Sequence, residues 1–178
     1  PGRVVGLSFA RELAPSLTSL VVGGRIGSGI AAELGSMAVT EQIDAIRALG
    51  ADPIKKLVVP RLLACIITMP MLASFALVLG FAGAMFITSF EFGLPRGFFL
   101  HSALESVRYS DFFSGMYKTP FFGALIAIIG CHFGMRTRGG TEGVGNSTTR
   151  SVVALSIGGL MSDFLLTKIS MLIWPAGE

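Results

Sequence analysis

A carboxylate interrupts an apolar run at Asp163, on a face that also carries Ser156, Gly159, Thr167 and Ser170 at helical i+3 and i+4 steps. An ionisable group inside a membrane-crossing helix is costly and normally faces a bundle interior or a wet cavity. Asp163 therefore reads either as a structural partner for another buried polar group or as a group that meets a substrate. Lys168 follows five residues later and is rotated away from that face. Lys118 stands near the end of another apolar run, where an amine snorkels or meets anionic headgroups. Arg11 and Glu12 precede a third such run. Brought to one side of a bundle, Arg11, Glu12, Lys118 and Asp163 would suit an amphipathic or zwitterionic substrate.

Other chemistry finds little support. Cys65 and Cys131 sit in apolar runs and read as small core residues. His132 adjoins Cys131 and His101 is the only other histidine, so the ligand number and spacing of a zinc site are lacking. No metal and no cofactor is expected. Residues 140–147 (GTEGVGNS) have the glycine spacing of a phosphate-binding loop, but Asn146 stands where its lysine belongs and no strand precedes it. Neither G-x-S-x-G nor H-E-x-x-H occurs, so no hydrolytic centre is visible and the chain does not read as an enzyme.

The elements that must position these groups are membrane helices. Residues 62–90 carry no charge, and about 20 apolar helical residues suffice to cross a hydrocarbon core about 30 Å thick. Hydrophobic residues make up 52% of the chain, charged ones only 14%, and the mean hydropathy is +0.71. Soluble domains carry about 25% charged residues. The net charge of +3 is small and dispersed, which gives no footprint for nucleic acid.

Four apolar segments are expected, at 13–34, 57–81 with a possible extension to 90, 112–135 and 152–173. Because backbone groups in lipid must be satisfied internally, they predict an all-α, polytopic transmembrane helix bundle with four spans. Pro70 is expected to kink the second. The connections would be a short amphipathic stretch at 36–56, a mixed one at 91–117 and a polar, Gly-rich one at 136–150. Arg47, Lys55, Lys56 and Arg61 flank the first, and Arg136, Arg138 and Arg150 flank the third. The positive-inside rule makes these two cytoplasmic.

Ser19, Gly23, Gly27, Ala31 and Gly35 recur every four residues along the first segment. Small residues let helices approach closely in lipid. They serve either packing within the bundle or a seam beside a partner subunit. A second stripe runs through Ser16, Gly24, Ser28, Ala32 and Ser36. Arg25 lies among these glycines, taken as close enough to the cytoplasmic end to snorkel, or else to pair with Glu33 or a neighbouring helix. Within 36–50, Val39, Ile43, Ile46 and Gly50 share one face and Thr40, Asp44 and Arg47 another, with Glu41 and Gln42 nearby. This predicts a short helix lying on the cytoplasmic surface, either passive or docked into a groove of a soluble partner.

These residues together resemble the MlaE (YrbE) permease family, the membrane subunits of ABC transporters linked to MCE proteins. The matching stretches are 11–15 (RELAP), 24–35 (GRIGSGIAAELG), 39–46 (VTEQIDAI), 49–53 (LGADP), 59–61 (VPR) and 142–150 (EGVGNSTTR). The resemblance implies a homodimer bound to two copies of an ABC ATPase, which binds the ATP, and an MCE-domain protein on the outer, periplasmic side. It turns 40–49, with Thr40, Glu41, Gln42, Asp44 and Arg47, into an ATPase-coupling helix. It also implies a phospholipid cavity at the dimer interface, with charged groups matching Arg11, Glu12, Lys118 and Asp163. Gly23, Gly27 and Ala31 would serve dimer or helix packing. Ala14 departs from the family's usual glycine, and Lys168 adds a charge where the family is more often apolar. An amphipathic helix and a further span are expected ahead of Arg11, so residues 1–178 read as a single permease domain within a longer subunit.

The resulting expectation is a multi-pass subunit of the bacterial inner membrane that moves phospholipid or a related lipid to or from the MCE partner. Two other functions remain open: an ion-coupled secondary transporter with Asp163 as carrier, and a non-transporting membrane scaffold.

Overall fold

The structure is a computed structural model that describes residues 2–93, 95–107 and 109–173. The expected all-α bundle is what forms. A short helix α1 (Gly2–Ser8) enters a π-helical turn (Phe9–Leu13) that leads into α2 (Ala14–Val39). Then come α3 (Gln42–Ala48), a second π-helical turn (Ile54–Val58) and α4 (Val59–Glu91). Helices α5 (Arg96–Ser106) and α6 (Tyr109–Met116) precede the last two long helices, α7 (Lys118–Met135) and α8 (Gly140–Ile173).

Among the described residues, three helical stretches are long and apolar enough to cross a membrane: Ile54–Glu91, Tyr109–Met135 and Gly140–Ile173. They contain the second, third and fourth expected spans. The first expected span forms α2, whose 26 residues rise about 39 Å. It is long enough, but its glycines and serines, with Arg25 and Glu33, make it less apolar than the other three. Instead it is the helix on which the bundle is built, packed along both α7 and α8 and also touching α4.

Small residues make that packing possible. Gly23, Gly27, Ala31 and Gly35 are buried. A methyl group at Gly23 would lie 2.8 Å from Ile126 Cδ1 of α7, and one at Gly27 would strike Leu155 of α8. A methyl at Gly35 would lie 2.9 Å from Thr137 Oγ1, and one at Gly130 of α7 would lie 3.0 Å from the Gly27 carbonyl oxygen. The stripe thus serves packing within the chain. Ile30, Leu34, Cys65, Ala127 and Cys131 form one core cluster, and Met69, Phe122, Ile126 and Leu155 a second. Both cysteines are small buried packing residues, as expected.

Two expected connections hold more helix than their composition suggested. The Gly-rich 136–150 stretch is a turn only through Gly139, and α8 starts at Gly140. Gly139 (φ 91°) and Gly140 (φ 67°) take the left-handed conformation that lets the chain turn. Residues 140–147 are therefore helical, which removes any phosphate-loop geometry. The mixed 91–117 stretch folds into α5 and α6, with α1 packed on α5. Helix α4 runs through Pro70 without interruption.

Candidate functional site

Pro15 stands at the start of α2, where it has no N–H to offer the Arg11 carbonyl. The widened π-helical turn lies directly before it and carries Arg11 and Glu12. Such turns occur often at functional sites. Helix α6 packs closely on this turn, since a methyl group at Gly115 would strike the Ala10 carbonyl. The α6–α7 junction then delivers Lys118 to the interior.

Lys118 is only 1% exposed. Its Nζ donates to Glu12 Oε1 at 3.0 Å, to Glu12 Oε2 at 3.2 Å and to Thr167 Oγ1 of α8 at 2.8 Å. The Thr167 hydroxyl in turn donates to Glu12 Oε2 at 3.2 Å. Asp163, one turn before Thr167, places Oδ1 at 3.9 Å from the Lys118 amine. Among the described residues, that oxygen and Ser16 Oγ are buried and make no hydrogen bond by distance and angle. A buried carboxylate oxygen left in this state is open to an incoming donor. One ammonium thus faces two carboxyl groups.

Of the four residues expected to act together, Glu12, Lys118 and Asp163 meet. Arg11 points elsewhere, with its guanidinium 3.7 Å from Asp111 Oδ1 of α6. Neighbouring bonds fasten α6 and the start of α7 to the same part of α8: Ser114 and Ser170 hydroxyls lie 2.6 Å apart, and the Tyr117 hydroxyl donates to the Leu166 carbonyl at 2.8 Å. Thr167 was visible on the polar face of Asp163, but nothing in the sequence marked it as a ligand of Lys118. Asp111 gave no signal beyond its charge.

The other end of the bundle holds the second group. Helix α2 breaks at Thr40, whose hydroxyl donates to the Ser36 carbonyl at 2.8 Å. Glu41 adopts φ 60°, a left-handed conformation uncommon for a residue with a side chain. The short α3 then begins at Gln42, anchored by buried Ile43, while Asp44 and Arg47 stay exposed and pair at 3.0 Å. Gly50 (φ 76°) ends the turn and Asp52 Oδ1 accepts the Ile54 N–H at 3.0 Å. Glu41, Asp44 and Arg47 line a polar cleft of about 380 Å³, closed on its other side by Thr137, Arg138, Gly139 and Gly140. Nearby, Arg61 pairs with Glu33 at 2.8 Å, which takes Glu33 away from Arg25.

Family comparison decides what kind of chain this is: a model described as Permease MlaE matches residues 1–169. The chain belongs to the MlaE permease family. A probable ABC transporter permease of Synechocystis sp. is 45% identical over 166 residues, 93% of this chain and 63% of that protein. The chloroplast protein TRIGALACTOSYLDIACYLGLYCEROL 1 of Arabidopsis thaliana is 43% identical over 167 residues, 94% of this chain and 48% of that protein. A probable ABC transporter permease of Rickettsia typhi is 43% identical over 166 residues, with 93% and 64% covered. The chain thus spans about half to two-thirds of the length of these relatives. In this MlaE permease chain, the RELAP stretch forms the π-helical turn and the start of α2. The VTEQIDAI stretch makes the α2–α3 junction, and EGVGNSTTR the first turns of α8.

Proposed function

We propose that this chain is part of the membrane subunit of an ABC transporter that moves phospholipid, driven by ATP hydrolysis in a separate partner. The observation that carries the reading is the buried Lys118–Glu12–Thr167 cluster with the open Asp163 oxygen beside it. A zwitterionic headgroup has both charges such a site can sort: its ammonium fills the empty acceptor on Asp163, and its phosphate approaches the cationic groups. The apolar flanks of α4 and α8 suit acyl chains. The name of the Arabidopsis relative, which is that of a galactosyl diacylglycerol, favours a lipid cargo.

In this reading two ATPase copies bind a homodimer of the full subunit at Thr40, Glu41, Gln42, Asp44 and Arg47. ATPase closure pushes on α3. The rigid α2, packed along α7 and α8, transmits the push to Glu12 in the turn that precedes it. The cavity narrows and lipid leaves toward an MCE-domain partner. The location would be a bacterial inner membrane or a chloroplast membrane, since relatives occur in both bacteria and chloroplasts.

A carrier driven by an ion gradient is the second reading, favoured by the unpartnered Asp163 oxygen inside a span. One experiment separates the two. The full-length subunit is purified in detergent, its bound proteins are assayed for ATPase activity, and its bound lipids are identified by mass spectrometry. Recovery of an ATPase together with phospholipid is expected. Recovery of neither would overturn the transporter reading in favour of the carrier or a scaffold.

A further inference from the structure

Thr167 bonds differently from other threonines of the long helices. Thr68 and Thr88 of α4, and Thr148 and Thr149 of α8, each donate the hydroxyl to the carbonyl four residues back. That acceptor is at hand for any helical threonine. Thr167 instead gives its proton to Glu12 Oε2 at 3.2 Å and accepts one from Lys118 Nζ at 2.8 Å. Its stretch of α8 is held on both sides. The Tyr117 hydroxyl donates to the Leu166 carbonyl at 2.8 Å, and the Ser170 hydroxyl lies 2.6 Å from that of Ser114. The Thr167 hydroxyl is therefore a fixed post against which the lysine is set.

A lysine ammonium has three N–H groups. Three acceptors lie within 3.2 Å of Lys118 Nζ: both Glu12 carboxylate oxygens and Thr167 Oγ1. Asp163 Oδ1, at 3.9 Å, is beyond hydrogen-bond reach. With Thr167 in place, the ammonium has no N–H to spare for Asp163. Without the hydroxyl, one N–H of a buried ammonium loses its acceptor, which is costly. Asp163, one turn away on the same helix, is the other carboxyl group that the ammonium faces and is the replacement at hand.

We infer that Thr167 is a positioning residue that makes the site selective for a headgroup ammonium: by holding Lys118 on Glu12, it keeps the Asp163 carboxyl group open to the ligand. This rests on the lipid-permease reading and narrows its headgroup to one with N–H donors, such as the primary ammonium of phosphatidylethanolamine. An anionic headgroup such as that of phosphatidylglycerol has nothing to gain from an open Asp163.

The full-length subunit with its ATPase is equilibrated with mixed micelles holding phosphatidylethanolamine and phosphatidylglycerol of the same acyl chains, and the retained lipids are quantified. The wild type is expected to favour phosphatidylethanolamine. Thr167→Val keeps the shape and removes the hydroxyl. It is expected to lower the ratio of phosphatidylethanolamine to phosphatidylglycerol about fivefold, the worth of one hydrogen bond. Thr167→Ser is expected to restore the ratio. In an Asp163→Asn background, Thr167→Val is expected to move it no further. Thr167→Ala stands in if the valine variant does not assemble, with the same expected direction. Equal loss of both lipids, a serine variant as impaired as valine, or a full further drop in the Asp163→Asn background overturns the inference. Failure of both valine and alanine variants to assemble does so too, because Thr167 is then a structural post only. A wild type that retains phospholipid in a ratio that no Thr167 variant moves refutes the role of Thr167 alone. A wild type that retains no phospholipid refutes the permease reading as well.

Discussion

Lys118 and Glu12, 106 positions apart in the chain, meet at 3.0 Å with the lysine almost wholly buried. The contact ties the start of α7 to the turn before α2, and Thr167 extends it to α8. Three helices therefore converge on one ammonium group.

Breaking such a pair from one side leaves a buried charge uncompensated, which costs about 3–5 kcal/mol. Glu12→Gln should destabilise the protein by that order. Lys118→Met should cost less, because the Glu12 side chain is 39% exposed and can turn to water. The double variant should be milder than the sum of the two. Thermal unfolding in detergent micelles measures all three.

Close helix contacts make a second set of outcomes. A methyl group at Gly123 would strike the Cys65 carbonyl, which is backbone and cannot swing away. Gly123→Ala should cost about 1–3 kcal/mol. Gly23→Ala meets only the flexible end of Ile126 and should cost less. Gly83→Ala, with open space around it in α4, should be neutral or stabilising by up to about 1 kcal/mol. The same unfolding experiment ranks them.

Coupling should separate from stability at α3. Asp44 and Arg47 are both exposed, so their pair contributes about 0–1 kcal/mol. Reversing the charges of Glu41 and Asp44 should leave the unfolding temperature nearly unchanged while abolishing co-purification of the ATPase. If ATPase binding and lipid transport both survive the reversal, α3 has no coupling role.

The bundle was legible in the chain because lipid imposes long apolar runs, and residues 62–90 could form little else. The stop at Gly50 and Asp52 was also readable, as was the α3 face carrying Asp44 and Arg47. Glycine misled at the third connection. Residues 140–150 read as a loop by composition, yet they form the first turns of α8, where tertiary packing outweighs weak propensity. Within the site, Asp163 stood out as a charge in an apolar run. Glu12 and Lys118 were named as well, but the Glu12–Lys118 and Arg11–Asp111 pairings depend on contacts between distant segments. Arg11 was grouped with the others by its charge and position as well as by the family resemblance, but its side chain turns to α6.

The most direct test is ATP-dependent movement of labelled phospholipid by the full-length subunit and its ATPase in proteoliposomes, compared with Asp163→Asn. The account predicts transport that requires ATP and falls about tenfold in the variant, as expected for losing one charged ligand, with ATPase binding retained. Movement that needs an ion gradient and no ATP, or full transport by the variant, would contradict it.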